Sequence, residues 1–238
     1  KQVPGQLKAG EYVSSKIYSD EKIFKQEMKK IFSKVWVPVC HESELPEPDR
    51  FRTTTIAGVP ILVVRDSEGE IHALANTSER RPSGKIEKEV GFLDVPDYLH
   101  CDIKFGGFVW VTLNDNPPTI EEWVDGSFDC MKESLNAEPL DVFHYHKAII
   151  PCNYKLWHDT NSEFYHDYLH YHNRITGFND SYFARENKCF NNGHVNVGSF
   201  EVQYDNYDGF ESREELSFPH LPTNHWEMID MFPGINFN

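Results

Sequence analysis

The 238-residue chain reads as an α+β protein: a helical lead-in, an antiparallel β-domain, then a second region mixing strands with at least one helix. Three observations predict this. Residues 19–33 repeat apolar side chains at helical spacing. Residues 35–75 hold short β-branched runs separated by turn signals. From Val142 onward, strand-like runs alternate with a histidine-rich stretch of helical character.

The lead-in helix is expected over 19–33. Ser19 is a candidate N-cap, Asp20 and Glu21 suit the positive end of the helix dipole, and Ile23, Phe24, Met28, Ile31 and Phe32 form one apolar stripe. Strands are expected over 35–40, 51–56, 60–65 and 71–75, with turns at Ala57-Gly58 and Asp66-Ser-Glu-Gly69. Residues 76–97 are charged and aperiodic, and include Glu79-Arg-Arg-Pro-Ser-Gly84. Strand character resumes at 101–103 and 108–113 and stops at Asn114-Asp-Asn-Pro-Pro118. Thr119 is placed to cap a short helix containing Ile120, Glu121, Glu122 and Trp123. A helix is expected around 155–171 and a strand over 200–204.

Composition narrows the function. Apolar residues make up 39% and aromatic residues 14%, enough for a sizeable core. A net charge of −15 argues against nucleic acid or anionic membranes as partners, because phosphate binding needs clustered Lys and Arg. Cys40, Cys101, Cys130, Cys152 and Cys189 are odd in number and without Cys-x-x-Cys spacing, which suits free thiols in a reducing cytoplasm. No apolar run reaches the ~18 residues of a membrane-spanning helix, and no signal-peptide pattern opens the chain. A cytoplasmic protein is the expectation.

The chemistry concentrates between Asn153 and Arg174. On a helix, His166 and His170 are four residues apart and leave the same face one turn apart, a workable bite for two neutral nitrogen ligands on one cation. Glu163 precedes His166 by three and shares that face; Asp159 lies a turn further back. Two histidines and one carboxylate form the facial triad that leaves iron(II) open positions for oxygen and substrate. His158 and His172 allow other pairings. The His-Glu-x-x-His pattern of zinc hydrolases is absent.

These motifs resemble the large subunits of Rieske-type non-heme iron oxygenases. Asn153-Tyr-Lys-Leu156, the acidic Glu163, His166 and His170 follow that family's iron-binding stretch, with His172 as the alternative second ligand. The resemblance extends through Trp36-Val-Pro-Val-Cys-His-Glu-Ser-Glu-Leu-Pro-Glu-Pro48, Gly58-Val-Pro-Ile-Leu-Val-Val-Arg-Asp66, Ile71-His-Ala-Leu-Ala-Asn76 and Phe105-Gly-Gly-Phe-Val-Trp-Val-Thr-Leu113. It implies a Rieske-type β-domain followed by a helix-grip-like α+β catalytic domain. The expected divisions are a lead-in at 1–34, the β-domain at 35–118 and the catalytic domain at 119–238.

The resemblance also implies mononuclear Fe(II) on His166 and His170, a [2Fe–2S] Rieske cluster, and NADH as the electron source through a separate reductase and a ferredoxin. Glu163 would bridge the cluster of one subunit to the iron of the next. That route implies a homotrimer, α3 or α3β3 with a small β subunit. The reaction implied is O2-dependent hydroxylation of a small organic acid.

Two departures from the family pattern are plain. Its cluster ligands come from Cys-x-His and Cys-x-x-His, and neither occurs here; Ser78 and Arg80 stand at the first pair's positions. The carboxylate that completes the iron site in the family is expected beyond Asn238. Strand-like sequence is intact on both sides of 76–97, so the expectation is a longer protein carrying segments absent from this sequence. The alternative is a cluster-less scaffold of the same fold. The basic Glu79–Gly84 stretch and Asn173-Arg174 are similar to the methanesulfonate-oxidising branch of the family. That implies a small sulfonate as substrate, with Arg174 or Lys155 as its anchor; the competing substrate class is an aromatic carboxylate.

Overall fold

The computed structural model describes residues 13–76, 97–136, 138–162, 187–201 and 225–237. Two short helices open it, α1 (Lys16–Ser19) and α2 (Glu21–Glu27), and α2 runs into a π-helical turn over Met28–Phe32. The helix expected over 19–33 thus starts one residue late, at Glu21, because Asp20 is extended and its carboxylate accepts the Lys22 N–H at 2.8 Å. Asp20 rather than Ser19 is the N-cap, because the Ser19 hydroxyl donates back to the Ser15 carbonyl. At the other end the Ser33 N–H reaches the Met28 carbonyl, five residues back, which widens the last turn.

Six antiparallel strands follow: β1 (Val37–His41), β2 (Phe51–Ile56), β3 (Val59–Arg65), β4 (Ile71–Ala75), β5 (Tyr98–Lys104) and β6 (Phe108–Thr112). Their spatial order is β1-β6-β5-β4-β3-β2. The β2–β3 hairpin turns on Ala57 and Gly58, both at positive φ, the twist-matched two-residue connection. The β3–β4 turn is closed by Asp66, whose Oδ1 accepts from Glu68 N–H and Glu70 N–H at 2.9 Å each. Among the described residues β4 and β5 pair at Ala73–Leu99 and Leu74–Tyr98, and the Ala75 N–H donates to the Asp97 carbonyl at 2.9 Å.

Alternation sorts the strands onto two cores. Ile56, Val59, Ile61, Val63, Ala73, Ala75, Leu99, Val109 and Val111 gather with Leu45 and Leu113 into an aliphatic core. Each of the Val, Leu and Ile side chains contributes about 1.5–3 kcal/mol when fully buried. β6 is buried on both faces: Val109 and Val111 enter this core, and Trp110 between them points to the other. Gly107, just before β6, has φ +94, and a Cβ there would lie 2.6 Å from His41 Nε2. That close approach lets the His41 ring bond the Gly106 carbonyl at 2.6 Å and tie β1 to the β5–β6 turn.

The second region has α3 (Ile120–Val124), α4 (Lys132–Asn136), α5 (Tyr154–Ser162) and a four-stranded antiparallel sheet. Thr119 and Glu122 form the capping box of α3, as the sequence leads one to expect. The sheet comprises β7 (Asn187–Cys189), β8 (Val195–Glu201), β9 (His225–Met231) and β10 (Ile235–Phe237), in the order β10-β9-β8-β7. β8 covers the start of the strand expected over 200–204; residues 202–204 lie outside the described part. The second core joins the regions: Trp36, just before β1, and Trp110 of β6 pack with Ile120, Val124, Phe128, Met131, Ile229 and Met231. Trp36 Nε1 donates to the Pro118 carbonyl at 3.0 Å, drawing together the two ends of the first sheet's stretch. Among the described residues no helix is long and apolar enough to cross a membrane.

Candidate metal centre

α5 is the last described element before Glu163, His166 and His170. The Asn153 side-chain oxygen accepts the Lys155 N–H at 3.1 Å and closes the first turn. Tyr154 meets the Phe32 ring edge-on at 4.8 Å. Lys155 Nζ lies 2.9 Å from both carboxylate oxygens of Glu27, with both side chains largely buried. Tyr18 donates its hydroxyl to Asp159 Oδ2 at 2.6 Å. Leu156 and Trp157, turned the other way, are exposed.

His158 faces the second sheet. Its Nδ1 lies 3.2 Å from Asp230 Oδ1 on β9, with the Asp230 side chain only 4% exposed. The contact is an ion pair when His158 is protonated. Contact with the Asp230 carboxylate raises the His158 pKa above the usual imidazole value, against an opposing pull from burial. Asn236 Nδ2 also donates to Asp230 Oδ1, at 3.3 Å. Nearby, His194 is fully buried and bonds the Trp123 carbonyl through Nε2 at 2.9 Å; burial lowers its pKa.

Of the residues singled out in the sequence, Lys155 lies in the described part. Its ammonium is taken up by Glu27 and is not free to anchor an anion while that pair is closed. Glu163, His166, His170, His172 and Arg174 lie outside the described residues. Among the described residues no three His, Cys, Asp or Glu side chains are grouped to hold a metal ion. The structure adds Asp230 and a tertiary role for His158. The available signal was a carboxylate set in the apolar run Met228-Ile-Asp-Met231, where an acidic residue needs a partner.

The two groups that the motifs imply fare differently. For a mononuclear iron, the sequence offers His166 and His170 four residues apart, which would supply two imidazoles of the kind such a site needs; both lie outside the described residues. For a [2Fe–2S] cluster the residues present do not fit. Two thiolates and two imidazoles are needed, and the five cysteines are free thiols outside any Cys-x-His or Cys-x-x-His pair. Burial pushes Cys40 up to about 11 and Cys101 to about 12, away from the thiolate that binds metal.

Residues 35–79 match the Rieske [2Fe-2S] domain, the stretch from before β1 to just past β4. The chain is 51% identical to the methanesulfonate monooxygenase hydroxylase subunit alpha of Methylosulfonomonas methylovora, over 98% of this chain and 67% of that protein. It is 29% identical to the 2-aminobenzenesulfonate 2,3-dioxygenase subunit alpha of an Alcaligenes species, over 99% of this chain and 69% of that protein. The fold is similar to a quaternary ammonium Rieske monooxygenase, with a TM-score of 0.67 at 18% identity, covering 93% of this chain and 66% of that one. The chain thus spans about two thirds of the length of these proteins. The first alignment runs over 278 positions against 238 residues here, so that relative carries at least 40 positions within the matched stretch that this chain lacks. A Rieske domain match, a near-complete alignment at 51% identity and the shared fold together place this chain among the large subunits of the Rieske-type non-heme iron oxygenases, the oxygenase component of multicomponent systems.

Proposed function

We propose that the chain is the hydroxylase large subunit of a sulfonate monooxygenase, and that its substrate is methanesulfonate. The observation that carries this reading is the 51% identity to a methanesulfonate monooxygenase hydroxylase subunit alpha across nearly the whole chain. The second relative also acts, by name, on a sulfonate, though on an aromatic skeleton. The sulfonate group is what the two substrates share, so an anion-binding residue is required. Arg174 is the candidate, because a planar guanidinium fork pairs two donors with two sulfonate oxygens; Lys155 is already paired with Glu27.

In this reading methanesulfonate, O2, NADH and a proton give hydroxymethanesulfonate, NAD⁺ and water. Hydroxymethanesulfonate then breaks its C–S bond to release formaldehyde and sulfite. Iron(II) held by His166 and His170, or by His166 and His172, would supply the oxygen activation. Glu163 accepts a hydrogen bond from a ligand imidazole and fixes its orientation. Electrons come from NADH through a reductase and a ferredoxin, and the subunit assembles as α3 or α3β3 in the cytoplasm. The lead-in is 1–34, the β-domain 35–118 and the catalytic domain 119–238; the Trp36–Pro118 bond supports the middle boundaries.

The test is sulfite release from methanesulfonate by the purified protein with its reductase, ferredoxin, NADH and O2. Sulfite formation stoichiometric with NADH is expected, and Arg174→Lys should raise KM about tenfold while kcat holds. Oxidation of benzoate or salicylate without sulfite release would replace this reading with an aromatic carboxylate dioxygenase. The missing Cys-x-His pair favours a second reading, a cluster-less scaffold; a protein that carries no iron as isolated would establish it.

A further inference from the structure

We propose that the seam between β1 and β2 is a binding site for a small organic anion, one with a carboxylate or sulfonate head and an apolar body, seated beneath residues 142–147. The site is independent of the sulfonate reading, and none of its residues is a candidate iron ligand.

The seam follows from the strand order. β1 and β2 are the two edges of the six-stranded sheet, yet both line one cavity of about 660 Å³, so the sheet curls until its edges face each other. Edge strands present unpaired N–H and C=O groups, and a gap of this size falls in the range of small-ligand pockets. Residues 142–147 cover it. They form neither helix nor strand, and two contacts hold them in place. The Val142 N–H donates to Ser43 Oγ at 3.1 Å, and the Arg52 guanidinium lies over the Tyr145 ring at 5.7 Å.

The lining has two parts. Val39, Phe108, Ile235 and Phe237 are half-buried and give an apolar floor, with Phe237 edge-on to Phe108 at 5.1 Å. Arg52 and Lys147 are exposed and give a cationic rim. Glu44 is the one acidic group among the described lining residues. Both its oxygens are engaged, Oε1 by the His41 N–H at 3.0 Å and Oε2 by Arg52. A guanidinium has five N–H donors, so that bond leaves most of the Arg52 fork open. Among the described residues Lys147 has no acidic partner. Two cations over an apolar floor stand out in a chain of net charge −15. The open fork and the ammonium match the oxygens of a carboxylate or sulfonate, while the floor takes a hydrocarbon body. A neutral ligand would leave the cations unused, and a bare inorganic anion would leave the floor wet.

The test titrates the full-length protein with hexanesulfonate and hexanoate by calorimetry, with 1-hexanol as the uncharged control, and follows hydrogen exchange at 142–147. At least one anion should bind where hexanol does not, and exchange at 142–147 should slow as the head bridges Arg52 and Lys147. Which anion binds names the head. Arg52→Gln and Lys147→Gln should each weaken binding about tenfold, and added salt should weaken it in the wild type. Lys147 is exposed, so its variant keeps the fold even where loss of Arg52 unsettles Glu44; thermal melting separates the two effects. Three results would each overturn the proposal: no anion binding, hexanol binding as tightly as the anions, or Lys147→Gln titrating like the wild type. Binding that slows exchange only in other segments would overturn it too, since the anion would then sit elsewhere.

Discussion

The two sheets are held by different chemistry. The first sheet stands on aliphatic side chains from adjacent strands: Ile61, Val63, Ala73 and Val109 are at most 1% exposed, and no ring enters their core. The second region stands on rings and on residues far apart in sequence. Phe105 stacks on Phe128 at 4.2 Å, and Trp110 packs against both Phe128 and Phe237. Its polar groups are buried too, with Asp230 and His194 inside. The first sheet is a local construction, whereas the second is completed by side chains borrowed from the first. It follows that the second sheet inherits part of its packing from the β-domain.

The largest test of that dependence is Trp110→Ala. It should cost about 3–5 kcal/mol and loosen the second region first, seen as hydrogen exchange in β9 and β10 rising before that in β2 and β3. Uniform loosening of both sheets would show that they form one cooperative unit.

Next comes Gly107→Ala, which puts a Cβ at positive φ against His41. A loss of more than about 1 kcal/mol is expected, confined to the aliphatic side of the comparison, with the melting temperature as readout.

The smallest expected effect is a pH dependence in which two histidines of the second region act with opposite sign. His158 has a raised folded pKa. Its stabilisation is present in full below the unfolded value of about 6.5 and is lost as pH rises through the folded value. His194 has a lowered folded pKa. Its neutral form is stable above about 6.5, and the benefit is lost as pH falls through the folded value. The melting-temperature gap between wild type and His158→Gln should therefore be widest near pH 6 and close toward pH 9. A gap that widened with pH would show that Asp230 does not hold the imidazolium.

Much of the first sheet was legible in the sequence. β2 and β4 have the expected limits, and β3 starts one residue early, because alternation and the turns at Ala57-Gly58 and Asp66–Gly69 are local signals. The Thr119 cap was legible for the same reason. The lead-in helix was legible over most of its span but not at its cap, since Ser19 and Asp20 are both good caps and only the extended backbone at Asp20 chooses between them. β7 and β10 have three residues each, carry no period, and exist because β8 and β9 supply partners.

The candidate site divides along the same line. The spacing of His166 and His170, the acidic position at Glu163 and the stretches Trp36–Pro48, Gly58–Asp66 and Phe105–Leu113 are properties of residue order alone, and together they sufficed to point to the family. The engagement of Lys155 by Glu27, 128 residues away, and of His158 by Asp230, 72 residues away, could not be read from order. Periodicity reports which face of an element is apolar; which polar group waits on the other side is decided when distant elements pack, because a buried charge takes whichever partner the fold brings within reach.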